Sequence, residues 1–437
     1  MRSYDTYKDS GVDWIESIPF EWNLKPFDKV LFENKNKYGS NDEHLDLLSL
    51  SGENGIYSKK YEDENQERNK EELENYNVVR KGQIVLNPLV NPLKLDYFGF
   101  SVSNIEGVVS PVYMVFETQN NSKYLEWFFK SHLTIQYLLS NTKGVRPLSL
   151  QLSRDSLKGI KIFLPPLSEQ NQIVSYLDTK TSLIDSLIEK TQRKIELLKE
   201  KRTSLINEVV TKGLNPNVEM KDSGVEWIGE IPKGWGVKRL KNVSEVKPSN
   251  VDKHIFPDEI QVRLCNYTDV YYNDFISEST QLKSGSCNQM EFEKFRLEKG
   301  DVIITKDSES PDDIGIPCFV KDNFEDVVCG YHLTLIRPKN MDGGFIFRFI
   351  QSDKTRRYFE IHSNGITRFG LGKYSIENLF LPFPPLSEQN EIVSYLDEHT
   401  QLIDKTISVE ERRIDTLKEY RQSLISEVVT GKRKVVN

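Results

Sequence analysis

The 437-residue chain is poor in the residues that staple or metallate a fold. Its four cysteines, Cys265, Cys287, Cys318 and Cys329, include no C-x-x-C pair, which argues against both a disulfide framework and a zinc knuckle. The six histidines (His44, His132, His254, His332, His362 and His399) are scattered, none at metal-ligand spacing from another His or a Cys. No apolar run approaches the ~20 residues needed to cross a bilayer, so no membrane association is expected. The start, Met1-Arg2-Ser3-Tyr4-Asp5, lacks the apolar stretch of a signal peptide, and a cytoplasmic location is expected. Positive charge is not in excess either. Lys plus Arg number 58 against 66 Asp plus Glu, a formal net charge of -8, which excludes a uniformly basic nucleic-acid coat.

Catalytic motifs are equally scarce. Asn87-Pro88-Leu89-Val90 superficially resembles the N-P-P-Y/F loop of DNA amino-methyltransferases, but it lacks the second Pro and the aromatic ring that stacks a flipped base, and reads as a strand-to-loop turn. There is no glycine-rich strand-to-helix loop and no G-x-x-x-x-G-K-S/T. Pro257-Asp258 and Pro311-Asp312 have no E-x-K at a useful distance after them, and Glu245-Val246-Lys247 precedes both; all are read as loop residues. No resident cofactor or metal is expected.

What the chain does have is bulk and a repeat. At roughly 150 residues per domain its length suggests about three domains or two large ones. Hydrophobic residues at 37% and charged residues at 28% suit folded, soluble domains. KDSGVDWIESIPFEW at residues 8–22 returns as KDSGVEWIGEIPKGW at 221–235, an offset of 213. PPLSEQNQIVSYLD from residue 165 returns as PPLSEQNEIVSYLD from 384, an offset of 219, and the ungapped block it opens is identical at about 30 of roughly 49 positions. The segments between these markers diverge. Only fragments align: KGQIVLN (81–87) with KGDVIIT (299–305), and VVSPVYMVF (108–116) with VVCGYHLTL (327–335). Each is a turn entering a β-rich apolar run. Helices expected over Tyr124–Leu139 and Phe345–Phe359 make each middle segment α+β.

The block after each PPL turn reads as one long helix, with Ser168 as N-cap and Glu169 in the first turn, where a carboxylate suits the helix dipole. Leu177, Thr181, Ile184, Ile188, Thr191, Ile195, Leu198, Arg202, Leu205 and Val209 fall on alternating steps of four and three, an a/d heptad seam. Leu396, Thr400, Ile403, Ile407, Glu410, Ile414, Leu417, Arg421, Leu424 and Val428 repeat it in the same register. About 32 residues at 1.5 Å each make a seam of about 48 Å that needs a partner. The economical partner is the other copy, antiparallel, because the intervening domain then links neighbouring ends. A rod with one globular domain near each end and pseudo-twofold symmetry is expected. A pairing centred between Ile195 and Leu198 sets Arg202 against Glu410 and Arg421 against Thr191.

The basic residues that stand out are Lys143, Arg146 and Arg154 before the first PPL turn, and Lys354, Arg356, Arg357 and Arg368 in the second half. In G-V-R (144–146) and G-I-T-R (365–368) an Arg follows a Gly turn, which suits phosphate or guanine-edge contact from a loop. Trp14, Trp22, Trp227 and Trp235 are expected to pack the domains on the helices.

The duplicated K-D-S-G-V-x-W-I-x-x-I-P-x-x-W motif, the duplicated P-P-L-S-E-Q-N-x-I-V-S-Y-L-D block and the divergent middles together resemble the specificity subunits of type I restriction-modification systems, over the whole chain. The resemblance implies an α+β chain with two target recognition domains, each reading one half of a split double-stranded DNA target. It also implies two long antiparallel coiled-coil helices in a pseudo-twofold tandem repeat, which set the half-site separation. The partners it implies are two methyltransferase subunits, docked on the helices, and through them two restriction/translocase subunits; S-adenosylmethionine, ATP and magnesium then belong to those partners. The chain divides accordingly into a lead-in motif (1–23), recognition domain 1 (24–164), helix 1 (165–212), linker and second lead-in motif (213–236), recognition domain 2 (237–383), helix 2 (384–431) and a basic tail (432–437). A coiled-coil scaffold without DNA readout and a self-sufficient methyltransferase or nuclease are the alternative readings.

The charge of -8 fits this reading because the second helix block is acid-rich, with Glu388, Glu391, Asp397, Glu398, Asp404, Glu410 and Glu411, while cations cluster in the middles. Weak DNA affinity is expected of the isolated chain. If the helix is a ruler, four residues inserted after Leu198, adding ~6 Å and a rotation of roughly 40°, should change the spacer between methylated half-sites. An unchanged spacer with full activity, read by single-molecule methylation mapping, is the outcome that refutes the ruler.

Overall fold

The computed structural model describes residues 3–42, 44–51, 55–59, 73–90, 99–142 and 150–435. The chain divides into two compact units, Met1–Thr191 with Arg412–Asn437, and Gln192–Glu411. The division runs through both long helices, Leu167–Lys212 and Leu386–Val429. Each unit therefore holds one stretch of each helix, and the first unit is built from two segments of sequence, on either side of the contiguous second.

The first unit builds a four-stranded antiparallel sheet in the order Phe100–Val102, Ile84–Leu86, Met114–Glu117, Phe32–Asn34. A second sheet runs Gly55–Ser58, Asp46–Ser51, Gly107–Val109, Asn77–Val79, with one parallel pairing, Gly107 against Asp46. The second unit repeats this frame. Its five-stranded sheet runs Ser244–Pro248, Leu333–Pro338, Val302–Thr305, Pro317–Val320, Phe275–Ile276, and its three-stranded sheet Lys283–Cys287, Ile260–Cys265, Val327–Cys329. The parallel pairing recurs, Arg263 against Val327. The aligned fragments are the centre of the frame: Ile84–Leu86 and Val302–Thr305 are buried throughout and follow Gly82 (φ 85°) and Gly300 (φ 93°), a left-handed turn that suits glycine. The four cysteines lie buried in the second unit, where desolvation raises the thiol of each above its ordinary range.

Each sheet domain is an insertion whose ends meet. Asn23–Pro26 pairs antiparallel with Lys161–Leu164, and Gly236–Arg239 with Phe380–Phe383, so the chain leaves each domain beside the point where it came in. The long helix then starts at Leu167 in one copy and Leu386 in the other. The first start is one residue before the expected N-cap Ser168, because the Pro166 carbonyl already accepts from the Glu169 and Gln170 amides. The helices expected over 124–139 and 345–359 are each broken in two: Ser122–Lys130 and His132–Ser140, then Gly343–Ile350 and Asp353–His362. In both, the break falls at a serine, Ser131 or Ser352, whose extended backbone lets its hydroxyl accept from the amide three residues on. Glu245-Val246-Lys247 lies in a strand, not a loop, with Glu245 between Lys247 and Lys339.

The heptad seam is buried at Leu177, Thr181, Ile184, Thr191, Ile195 and Val209, and at Leu396, Thr400, Ile403, Ile407, Glu410, Ile414, Leu424 and Val428. In the second unit Lys194 pairs with Glu410 and Arg202 with Asp404, so one index rises as the other falls and the helices run antiparallel. In the first unit Arg421 bonds Asp185 through Nε at 2.9 Å. The expected Arg202–Glu410 pair is therefore displaced: Glu410 takes Lys194, and Arg202 takes Asp404 and Asp274. Arg421 takes Asp185 in place of the expected Thr191. The 219-residue offset maps Arg202 onto Arg421 and Asp185 onto Asp404, so each unit makes the same ion pair. The acids lie beside the seam, where a guanidinium on a four-bond stem reaches them without losing all its water.

A double-mutant cycle on Arg421→Met and Asp185→Leu is expected to give a coupling of about 0.3–1 kcal/mol in denaturant unfolding, the range for a partly exposed pair. The cycle on Arg202→Met and Glu410→Met should give none beyond ~0.3 kcal/mol. The reverse pattern would restore the register expected from sequence.

Candidate nucleic-acid interface

The repeated residues serve to hold each sheet domain on its helices. In the first unit Trp22 is fully buried and its Nε1 donates to Glu169 at 3.2 Å; in the second Trp235 donates to Glu388 at 2.8 Å. Each indole also meets the end of the other long helix. Gly431 (φ 75°) lies against Trp22 and Pro19, and Gly213 (φ 73°) against Trp235. Gln170 accepts from the amide of Asn121, and Gln389 from that of Asp342; these are the residues whose side chains cap the following helix. Asp178 accepts from Trp127, while its counterpart Asp397 holds Arg348, a guanidinium only 1% exposed. Trp14 stacks on Tyr137 at 5.2 Å and Trp227 lies on Tyr358 at 5.4 Å, so the four repeated tryptophans pack within their own units.

The basic residues singled out from sequence meet different fates. Lys143 and Arg146 lie outside the described residues. Arg154, at the start of Arg154–Lys158, bonds Glu33 at 2.7 Å, and that hydrogen bond holds the Glu33 carboxyl below its ordinary value. Lys354 donates to the carbonyls of Trp227 (3.0 Å) and Ile228 (2.8 Å), and burial lowers its pKa. Its ammonium is occupied in fixing the lead-in motif. Arg356 and Arg357 are exposed on the helix Asp353–His362. Arg368 is exposed at the end of a hairpin, with a guanidinium nitrogen 3.2 Å from Nδ1 of His332.

Around Arg368 the second unit gathers residues not singled out from sequence. Asp307–Ser308 pairs with Phe369–Gly370, the Lys306 amide donates to the His332 carbonyl at 2.9 Å, and the Leu371 amide to the Lys306 carbonyl at 2.8 Å. These backbone bonds set Lys306, Asp307, Tyr331, His332 and Arg368 side by side. Lys306 Nζ donates to the Ser249 carbonyl at 2.8 Å and lies 4.8 Å from the Tyr331 ring centre, and His332 Nδ1 is 2.5 Å from the Asp307 carboxylate. Cations, a carboxylate, an imidazole and a half-exposed aromatic ring on adjoining loops suit the mixed donors and acceptors of a DNA groove. A signal was present in the sequence: Lys306 directly follows an aligned fragment, and Tyr331-His332 is where the other diverges. The equivalent positions of the first unit are Pro88, Leu89, Val112 and Tyr113 on the same frame, with Leu89–Val90 paired to Leu150–Gln151.

Among the described residues no group of three or more His, Cys, Asp or Glu is placed to hold a metal ion. Among them no helix is long and apolar enough to cross a membrane.

Two frames of one design, each carrying its own exposed loops, define a tandem two-domain recognition protein, and comparison with known proteins gives the family. The profile described as Type I restriction modification DNA specificity domain matches residues 49–197 and 232–419. The chain belongs to that family. It is 24% identical over 368 residues to the type I restriction enzyme MjaVIII specificity subunit of Methanocaldococcus jannaschii, covering 81% of each chain. Among solved structures it resembles, with a TM-score of 0.70 and 14% identity over 95% of this chain and 99% of the other, a chain from work on complex assembly and conformational transition of the type I R-M system. The HsdS subunit from Thermoanaerobacter tengcongensis matches with a TM-score of 0.53 and 15% identity over 95% of this chain and 98% of its own. At these identities the structural matches speak for the fold.

Lys354→Ala is expected to lower stability by about 1–3 kcal/mol, the cost of two carbonyls left without their donor, and to leave the methylated sequence unaltered. A changed target base in methylation mapping would return Lys354 to the DNA interface.

Proposed function

We propose that this chain is the non-catalytic, DNA-reading specificity subunit of a type I restriction-modification complex. Each recognition domain, residues 24–164 and 237–383, reads one half of a bipartite double-stranded target. The helical blocks 165–212 and 384–431 hold the two readings in register and dock two methyltransferase subunits, through which two restriction/translocase subunits join. S-adenosylmethionine, ATP and magnesium act on those partners, and the complex works in the cytoplasm.

The observation that carries this reading is the contrast between constant frame and variable tip. Trp22/Trp235, Glu169/Glu388, Gln170/Gln389 and Asp178/Asp397 recur and bond within their own unit. At the sheet ends the same two copies carry Pro88, Leu89, Val112 and Tyr113 in one and Lys306, Asp307, Tyr331 and His332 in the other. A scaffold that only paired helices has no physical need for the second set to diverge around an unchanged core. Two readers of unlike half-sites do, because base edges are told apart by donor and acceptor pattern.

Exchanging residues 24–160 for the corresponding segment of another family member should change one half of the methylated site and leave the other half and the spacer as they were. Single-molecule methylation mapping of host DNA reads the result. A change in both halves, or host methylation indifferent to the presence of the chain, would overturn the reading.

A further inference from the structure

The cluster on the second unit's loops has an internal order. Asp307 holds His332 through Nδ1, and a guanidinium nitrogen of Arg368 lies 3.2 and 3.5 Å from the two ring nitrogens of that imidazole. Both contacts are made by one terminal nitrogen, Nη2, so the guanidinium meets the imidazole through that nitrogen. His332 has φ +69°, the one positive value at a non-glycine among the described residues. A left-handed histidine costs on the order of 1–3 kcal/mol and persists where surroundings fix it. Here the Lys306–His332 backbone bond and the Asp307 carboxylate do so. The hairpin that carries Arg368 is also fixed. Asn364 and Gly370 exchange backbone hydrogen bonds at 3.0 and 2.8 Å, and Gly365, at φ +147°, has no room for a side chain against the Arg368 carbonyl.

Building on the specificity-subunit reading, we propose that Arg368 is a specificity-determining residue that reads a guanine in the major groove of one half-site, with His332 and Asp307 as its positioning residues. A phosphate contact fits the cluster less well. The Asp307 carboxylate stands one imidazole away from the guanidinium and repels a phosphate, whereas the acceptor pair O6/N7 of guanine takes the two-pronged donor without a full negative charge beside the acid. Among the described residues Arg368 makes no ion pair, so its charge is directed to no acid of its own unit. The first unit has Pro88, Leu89, Val112 and Tyr113 at the positions of Lys306, Asp307, Tyr331 and His332, so this reading element belongs to one half-site alone.

The test uses the full chain assembled with its methyltransferase partners, on duplex libraries randomised one half-site at a time. Wild type should require guanine at one position of one half-site. Arg368→Ala should lose roughly tenfold to a hundredfold of that preference at that position only, the discrimination of a bidentate contact. His332→Gly retains a residue at ease with positive φ while removing the ring, and should relax the same position by a smaller factor. His332→Asn, which tolerates the left-handed backbone and still donates to Asp307, should restore it. If His332→Gly blocks assembly, Asp307→Asn serves in its place. An even loss of methylation across all sequences, or guanine preference kept in Arg368→Ala, overturns the assignment. If exchange of residues 237–383 leaves the motif unchanged, the specificity-subunit reading itself fails; a motif that follows the segment but ignores Arg368 sinks this assignment alone.

Discussion

The structure depends on one buried indole in each unit. Trp22 bonds Glu169, in the first turn of one long helix, and lies against Gly431, just past the end of the other. Trp235 likewise bonds Glu388 and lies against Gly213. A helix start and a helix end brought to one side chain must come from helices of opposite direction, so this contact and the antiparallel seam require each other. The glutamate also puts its charge where the helix dipole favours it, and the glycine takes the left-handed conformation that ends a helix. A side chain at position 431 would strike Pro19. The short motif at the start of each repeat is therefore a clamp, which explains why it returns nearly unchanged at a distance of 213 residues.

The clamp separates what is free to vary from what is not. Chain ingress and egress are tied by a strand pair in each domain, and the helix residues that receive the domain, Glu, Gln and Asp, are the same in both copies. The domain side can differ even at a direct contact. Asp178 accepts an indole N–H from Trp127, and Asp397 holds the buried guanidinium of Arg348 with Thr400 as a further acceptor. A carboxylate takes either donor, so the helix block stays constant while the domain core is rebuilt around it. Burying Arg348 is tolerable only because Asp397, Thr400 and Gln351 answer its donors.

Much of this was legible in the sequence and the remainder has physical reasons for being hidden. The heptad seam, the antiparallel pairing and the repeated mixed domains follow from periodicity and self-similarity, because burial at a/d positions leaves its mark directly on residue type. The register does not. Matching Arg202 to the acid within the seam, Glu410, overlooked Asp404 and Asp185 just off it, and a long side chain meets a partner at the seam's edge more cheaply than inside it. The helix breaks at Ser131 and Ser352 were hidden because apolar spacing runs on through both halves of each pair, and only the serine three residues before a threonine marks the stop. At the candidate interface, sequence pointed to Arg368 through its glycine turn, but not to Lys306, Tyr331 or His332. Those come together through pairing between loops far apart in the chain, and that closeness is a property of the sheet.

The net charge of -8 becomes intelligible on the same terms. Many of the arginines are engaged within their own units: Arg80 with Asp42, Arg154 with Glu33, Arg263 with Asp326, Arg337 with Asp301, Arg348 with Asp397. A paired guanidinium contributes little to the release of counterions from DNA, which is the main source of sequence-independent affinity. The chain thus lacks a general basic surface, while Arg368 makes no ion pair among the described residues and stands on a hydrogen-bonded hairpin. If the chain reads DNA as proposed, tight binding has to come from the assembly around it, and a reader that binds weakly alone does not occupy the large excess of wrong sites before its partners arrive.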